Sequence, residues 1–399
     1  MNQLQTANRN IKLYIFIKIL AKRVFLPLSA IYFIDTAGFT IRDIGLLSAF
    51  FSLVQLLAEM PTGYFADRIG RVASIRVSAI LAAIATTIYV FIHHKVGIYI
   101  GVALEALAYS FLGGAGEALV HDSLVIKKRI ADYTKIMSRT MSISLIGNAI
   151  LVTLVPMTYK FNPAYPFAIG TFFYLVLFAI TFFMHDVERS ASVEKLKVPS
   201  FKLISGKRNI LLFGLTFGII AAMFTSPADM VNVALKEYGV RVDLIGWIYG
   251  IASVIGAAIG PLFHHLRKIK LSSYLTIDLT MLLGVYFAGY TQNGYLLALA
   301  MILSISFWRY RRIIYQDYLL TKYPTQYKAT LISAMNNLEQ LNSIWLPIMI
   351  TSVIYSTSTP IGLGLMGLFG LCVAPFYIYS TLKFFTDQTI LATKPVAVV

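Results

Sequence analysis

The sequence predicts an all-α membrane protein, with twelve transmembrane helices in two pseudo-symmetric six-helix bundles. Three observations point to it. Of 399 residues, 58% are hydrophobic and 13% are charged, with a mean hydropathy of +0.73; a soluble domain carries about 25% charge. Apolar runs of helix length, about 20 residues each, recur along the chain, where a membrane barrel would show ten-residue alternation. A single long polar stretch, residues 185–208, splits the series into halves of similar size.

The predicted spans are 11–34, 43–61, 73–92, 96–119, 141–159 and 165–185, then 209–233, 244–263, 272–290, 295–315, 329–354 and 360–383. The N-terminal bundle is 1–185, the linker 186–208, and 209–399 holds the C-terminal bundle with a short tail. Span 1 follows a polar start without a small-residue cleavage site, so it reads as a retained anchor. Span 2 opens on Arg42-Asp43-Ile44-Gly45 and closes on Glu59-Met60-Pro61-Thr62-Gly63. Span 4 carries Glu105, Tyr109 and the Gly-rich Leu112-Gly113-Gly114-Ala115-Gly116, and ends near His121-Asp122. Spans 3, 6 and 12 have apolar interiors. Span 7 holds Asp229 toward its outer part, and span 9 holds Asp278 near its inner end. Span 8 opens on Asp243-Leu244-Ile245-Gly246, an echo of span 2 that marks an internal repeat. Span 10 carries Trp308-Arg309-Tyr310. Span 11 shows a polar stripe, Asn336, Glu339, Gln340 and Ser343, at helical spacing. The one cysteine, Cys372, rules out an intrachain disulfide.

The net charge of +16 follows the spans. With the N-terminus inside, 25 of the 34 Lys and Arg fall on cytoplasmic segments, five on outer loops and four within helices: Lys18, Lys22, Arg23 and Arg309. That asymmetry places both termini in the cytoplasm and accounts for the basic charge without nucleic acid.

The turn after span 2, Gly63-Tyr64-Phe65-Ala66-Asp67-Arg68-Ile69-Gly70-Arg71, resembles the loop 2–3 signature G-x-x-x-D-R-x-G-R of the major facilitator superfamily of secondary transporters. The resemblance implies alternating access of a small solute across a bacterial inner membrane by a monomer, with spans 1, 4, 7 and 10 around a central cavity. It also implies a gating motif of Gly63, Asp67, Arg68, Gly70 and Arg71. In it, Asp67 meets the N-terminus of span 11 near Ala329-Thr330, and Arg71 pairs with Asp122. The segment 116–124 is similar to a bacterial subset of efflux proteins. Helix 4 departs from many members by offering Glu105 and no arginine before its glycines, and span 5 has only Gly147 and Pro156 where exporters are Gly-rich. On the resemblance of 116–124, proton-coupled efflux is the expected function; import of an anionic or zwitterionic metabolite, by proton symport or facilitated transport, is the alternative.

A charge at mid-bilayer costs about 2.5–3.5 kcal/mol on the insertion scale, so intramembrane charges face water or partners. Lys22, Tyr109, Trp308, Arg309, Asn336 and Gln340 are the expected substrate-binding groups of a cationic, aromatic cavity. Glu105 and Glu339 are the expected proton-coupling carboxylates, one of them paired with Lys22. Lys18 reads equally as a snorkelling residue, and Arg23 as a buried structural partner of a carboxylate. There is no phosphate-loop motif and no H-E-x-x-H, so neither cofactor nor metal is expected, and the chain reads as a transporter, not an enzyme.

Overall fold

The computed structural model describes residues 3–187, 208–259, 269–322 and 325–386; within these, the side chains of 134, 208–210, 259, 309, 312–313, 316–322, 325–334 and 386 lie outside the description. Fifteen α-helices are described, and no strand: α1 Gln3–Leu20, α2 Ser29–Ala37, α3 Ile41–Arg68, α4 Arg71–Phe91, α5 Lys95–Leu112, α6 Ala115–Ile126, α7 Tyr133–Met157, α8 Tyr165–Thr181, α9 Arg208–Thr225, α10 Ala228–Glu237, α11 Ile245–Ile259, α12 Leu271–Tyr290, α13 Gly294–Lys322, α14 Thr325–Ser356 and α15 Thr359–Thr386. In chain order they build the twelve spans. Among the described residues seven stretches are long and apolar enough to cross a membrane, four shorter apolar helices stand at spans 1, 6, 8 and 10, and α14 stands at span 11. The face holding the turn at 69–70 is called proximal here, the opposite face distal.

Three spans are not continuous. Span 1 breaks at 21–25, between α1 and α2. Pro27 sits just beyond and has no N–H to return to the carbonyl of Arg23, four residues back; that carbonyl accepts from Leu26 N–H at 3.1 Å instead. Span 4 breaks at Gly113-Gly114, where Gly114 adopts a left-handed φ of +73° that a side chain would resist. Span 7 breaks at Ser226-Pro227, and the carbonyl of Met223 is taken up by the Tyr286 hydroxyl at 2.8 Å. The sequence reading drew all three as unbroken helices. A proline or glycine pair inside an apolar run leaves hydropathy unchanged, so the run still reads as one span.

Across the halves α3 packs on α14 and α7 on α11, while α10 meets α2. Small residues set these approaches. A Cβ on Gly45 would lie 1.9 Å from Thr351 Oγ1, and one on Gly250 1.8 Å from Thr153 Oγ1. Lys236 Nζ reaches Asp35 Oδ1 at 2.5 Å, and the Tyr159 hydroxyl donates to Asp35 Oδ2 at 3.0 Å. Asp35, Lys236, Gly45 and Gly250 all lie toward the distal ends of their helices, so the distal face is closed.

Candidate functional site

The break in span 1 exposes Lys22 and swings Arg23 inward. Arg23 Nε donates to Glu105 Oε1 at 2.5 Å, and the Tyr89 hydroxyl donates to Glu105 Oε2 at 2.7 Å. The side chains retain 21% and 5% of their exposure. Phe51 lies over the guanidinium at 4.6 Å, and Tyr174 is close enough to interact electrostatically. From the other half, Asp229 in the first turn of α10 accepts from Ser48 Oγ at 3.1 Å and lies within electrostatic reach of Arg23 and Glu105. Five spans, 1, 2, 3, 4 and 7, thus meet at one polar node between the bundles.

Of the two expected carboxylates, Glu105 is held by Arg23. Arg23 was expected as the structural partner of a carboxylate, and Asp229 was noted only for its depth; the node depends on both. Tyr109 is half-exposed, its ring 6.4 Å from Phe51. The Gln340 Oε1 atom is buried without a hydrogen-bond partner, and Asn336 and Glu339 on α14 are half-buried. Arg309 lies outside the described side chains. Lys18 pairs with Glu117 at 3.0 Å on the proximal side of the break.

Trp308 packs beside Phe224 and Arg311. Its ring lies 5.2 Å from Phe224 and 5.3 Å from the guanidinium of Arg311. The sequence reading assigned Arg311 to a cytoplasmic segment; it is 1% exposed and ion-paired with Asp278 at 2.8 Å. The Tyr377 hydroxyl donates to Asp278 Oδ2 at 2.6 Å, and Tyr315 and Tyr377 contact each other. Phe217, Phe224, Trp308 and Tyr315 surround the cation. Arg311 stands near the end of the predicted span 10, and what encloses it, Asp278, Tyr377, Phe217 and Phe224, comes from other helices that the local sequence does not announce.

At the proximal face the turn brings Arg71 Nε to Asp122 Oδ2 at 2.7 Å. Asp67 is 67% exposed and stands 3.8 Å from Arg71; its expected neighbours Ala329-Thr330 lie outside the described side chains. Arg68 lies over the Tyr64 ring at 5.2 Å, and a Cβ on Gly63 would meet only open space. Gly70 has φ +145°, and a Cβ there would lie 2.4 Å from Asp186 Oδ2. Asp186 accepts from the N–H groups of Arg71 and Val72 at 2.8 and 3.2 Å. It caps α4 and meets the positive end of its dipole. The sequence reading put Asp186 in the linker and missed this contact, which no local motif announces. Among the described residues no cluster of metal-ligating side chains occurs.

The family model of the Major Facilitator Superfamily matches residues 13–347. The chain belongs to the Major Facilitator Superfamily. It is a multi-pass membrane transporter, and the family's substrates are small molecules. Over 354 residues it is 24% identical to the uncharacterized MFS-type transporter YxaM of Bacillus subtilis (strain 168), covering 82% of this chain and 84% of that protein. Its fold matches the crystal structure of the nucleoside transporter NupG with a TM-score of 0.81 at 13% identity, over 96% and 99% of the two chains. It matches a D-xylose-proton symporter with a TM-score of 0.64 at 13% identity, over 94% and 97%. Within this superfamily fold, the Arg23–Glu105 node lies on spans 1 and 4, at the seam between the bundles, and the Arg71–Asp122 pair lies at the proximal end of the same bundle.

Proposed function

We propose that this superfamily member is a proton-coupled exporter of a bacterial plasma membrane, with both termini cytoplasmic, exchanging a small solute for protons by alternating access. The observation that carries the exchange reading is Asp229, a carboxylate at the seam whose one hydrogen bond among the described residues crosses to the other bundle, to Ser48. A group held from both halves changes surroundings when the halves rotate. Cargo and proton competing for one carboxylate gives antiport. A distal-closed state with Lys236–Asp35 joined is the partner of a distal-open state in which Asp67 holds the proximal face shut, the turn that carries it being braced within its own bundle by Arg71–Asp122.

Import by symport is the second reading, and the Arg23–Glu105 pair is what favours it. An anionic cargo that drew Arg23 away would relieve Glu105 of its cation and let it take a proton, so cargo and proton would ride together. Proton counting separates the two. Cargo found by a thermal-shift screen is added to purified protein in weak buffer with a pH dye. Antiport releases protons on binding and symport takes them up; no proton exchange at any pH would exclude coupling. For the latch, Asp67→Asn is expected to keep near-normal abundance and lower flux at least several-fold; unchanged flux at normal abundance refutes its gating role.

A further inference from the structure

Three atoms at the node are still without a partner. Glu105 engages Arg23 through Nε, and Phe51 covers one face of the guanidinium. The terminal nitrogens Nη1 and Nη2 make no hydrogen bond among the described residues, yet they are not sealed from solvent. Asp229 accepts from Ser48 through Oδ2; Oδ1 has no partner among the described residues and is likewise open to solvent. Arg23 and Asp229 attract each other electrostatically but do not form an ion pair. The titratable and charged groups facing Asp229 are Arg23 from the break in span 1, Glu105 from α5 and Tyr249 from α11.

Two opposite charges, one from each bundle, therefore face a gap without touching. The free edge of a guanidinium is a fork that fits a carboxylate bidentately. The lone oxygen of Asp229 fits an ammonium. A simple anion would satisfy the fork but meet two carboxylates, Glu105 and Asp229. A simple cation would satisfy Asp229 and leave the fork bare. A guest bearing both charges satisfies both, and partly desolvated charges gain most from being paired.

We propose that the gap binds a compact zwitterion, its carboxylate on Arg23 Nη1 and Nη2 and its primary ammonium on Asp229 Oδ1. This rests on the transporter reading and names its cargo class. The ammonium and a proton then compete for the same oxygen, which is how exchange would arise at this site, and the guest ties the two bundles together.

The test uses the full-length protein in detergent. The twenty standard amino acids, β-alanine and γ-aminobutyrate are screened by thermal shift beside a nucleoside, a hexose and a lipophilic cation. The best zwitterion is then compared with its amide and its N-acetyl derivative. Expected results are stabilisation by at least one zwitterion and at least tenfold weaker binding of both derivatives. Arg23→Lys, which keeps the charge and loses the fork, should weaken binding at least tenfold. Asp229→Asn, which still accepts from Ser48, should bind the N-acetyl derivative as well as the parent. Should either single variant unfold, the derivative comparison on wild-type protein stands alone. No binding by any zwitterion, or an amide that binds as tightly as its parent, overturns the cargo class. If in that case the nucleoside, hexose or cation binds and shows counterflow in proteoliposomes, the transporter reading survives. If nothing binds and nothing flows, both fall.

Discussion

At the scale of single residues, Glu105 and Asp278 are each held at membrane depth by an arginine. Glu105 has Arg23 on one oxygen and the Tyr89 hydroxyl on the other. Removing one member of a buried pair strands the other and costs about 3–5 kcal/mol. Glu105→Gln is expected to cost about 3 kcal/mol by that rule, and Tyr89→Phe only about 1 kcal/mol, the net worth of one hydrogen bond. Denaturant unfolding in detergent reads both; equal, small losses would mean that Arg23 finds another partner. Gly70 is fixed by two independent facts, its φ of +145° and the Asp186 oxygen lying where a Cβ would go. Gly70→Ala should cost about 1–3 kcal/mol in backbone strain, seen as a lower melting temperature. Asp186→Ala should lose part of the same stability through the lost cap of α4.

Among elements, the decisive feature is that spans 1, 4 and 7 are broken while α13, which forms span 10, runs unbroken for 29 residues. Irregular backbone at membrane depth is tolerated where it faces protein or water. The break at 21–25 delivers Arg23 to Glu105, and the break at 226–227 starts α10 with Asp229 in its first turn. The pairs of elements that close the distal face, α3 with α14 and α7 with α11, approach through Gly45 and Gly250. In this arrangement alanine at 45 would collide with the Thr351 side chain and the Pro347 carbonyl, and alanine at 250 with the Thr153 side chain. Gly45→Ala and Gly250→Ala are therefore expected to favour the distal-open state. Spin labels at the distal ends of α2 and α10 would report a longer distance; an unchanged distribution would show that the threonines simply rotate away.

For the whole molecule, alternation between faces requires contacts weak enough to break each cycle. The Lys236–Asp35 pair suits that, since both side chains are a third or more exposed and such pairs contribute about 0.2–1 kcal/mol. Lys236→Gln should shift the closed-to-open ratio by at most about fivefold, and the wild-type ratio should move the same way as salt rises, because exposed charges are screened. A ratio insensitive to salt would assign distal closure to the glycine contacts alone. The Asp278–Arg311 pair, by contrast, is wholly inside the C-terminal half and has the burial of a permanent strut.

What the sequence determined by itself follows from composition and spacing. Hydropathy sets the number of spans, the Lys and Arg asymmetry predicts their sense, and the turn from Gly63 to Arg71 carries the family and the Arg71–Asp122 pair, because each is a local or additive property of the chain. What only the tertiary structure decided is which charge meets which. Lys22 and Arg23 are neighbours in sequence, and an intact helix would point them about 100° apart around its axis; only the break sends Arg23 to Glu105. Asp186 reaches α4 across 115 residues, and Ser48 reaches Asp229 across 181. Arg311 looks like a cytoplasmic cation until Asp278 and a ring of aromatic side chains enclose it. Such pairings depend on where separate helices stand in space, and a hydrophobic pattern that drives every span into the membrane is indifferent to that.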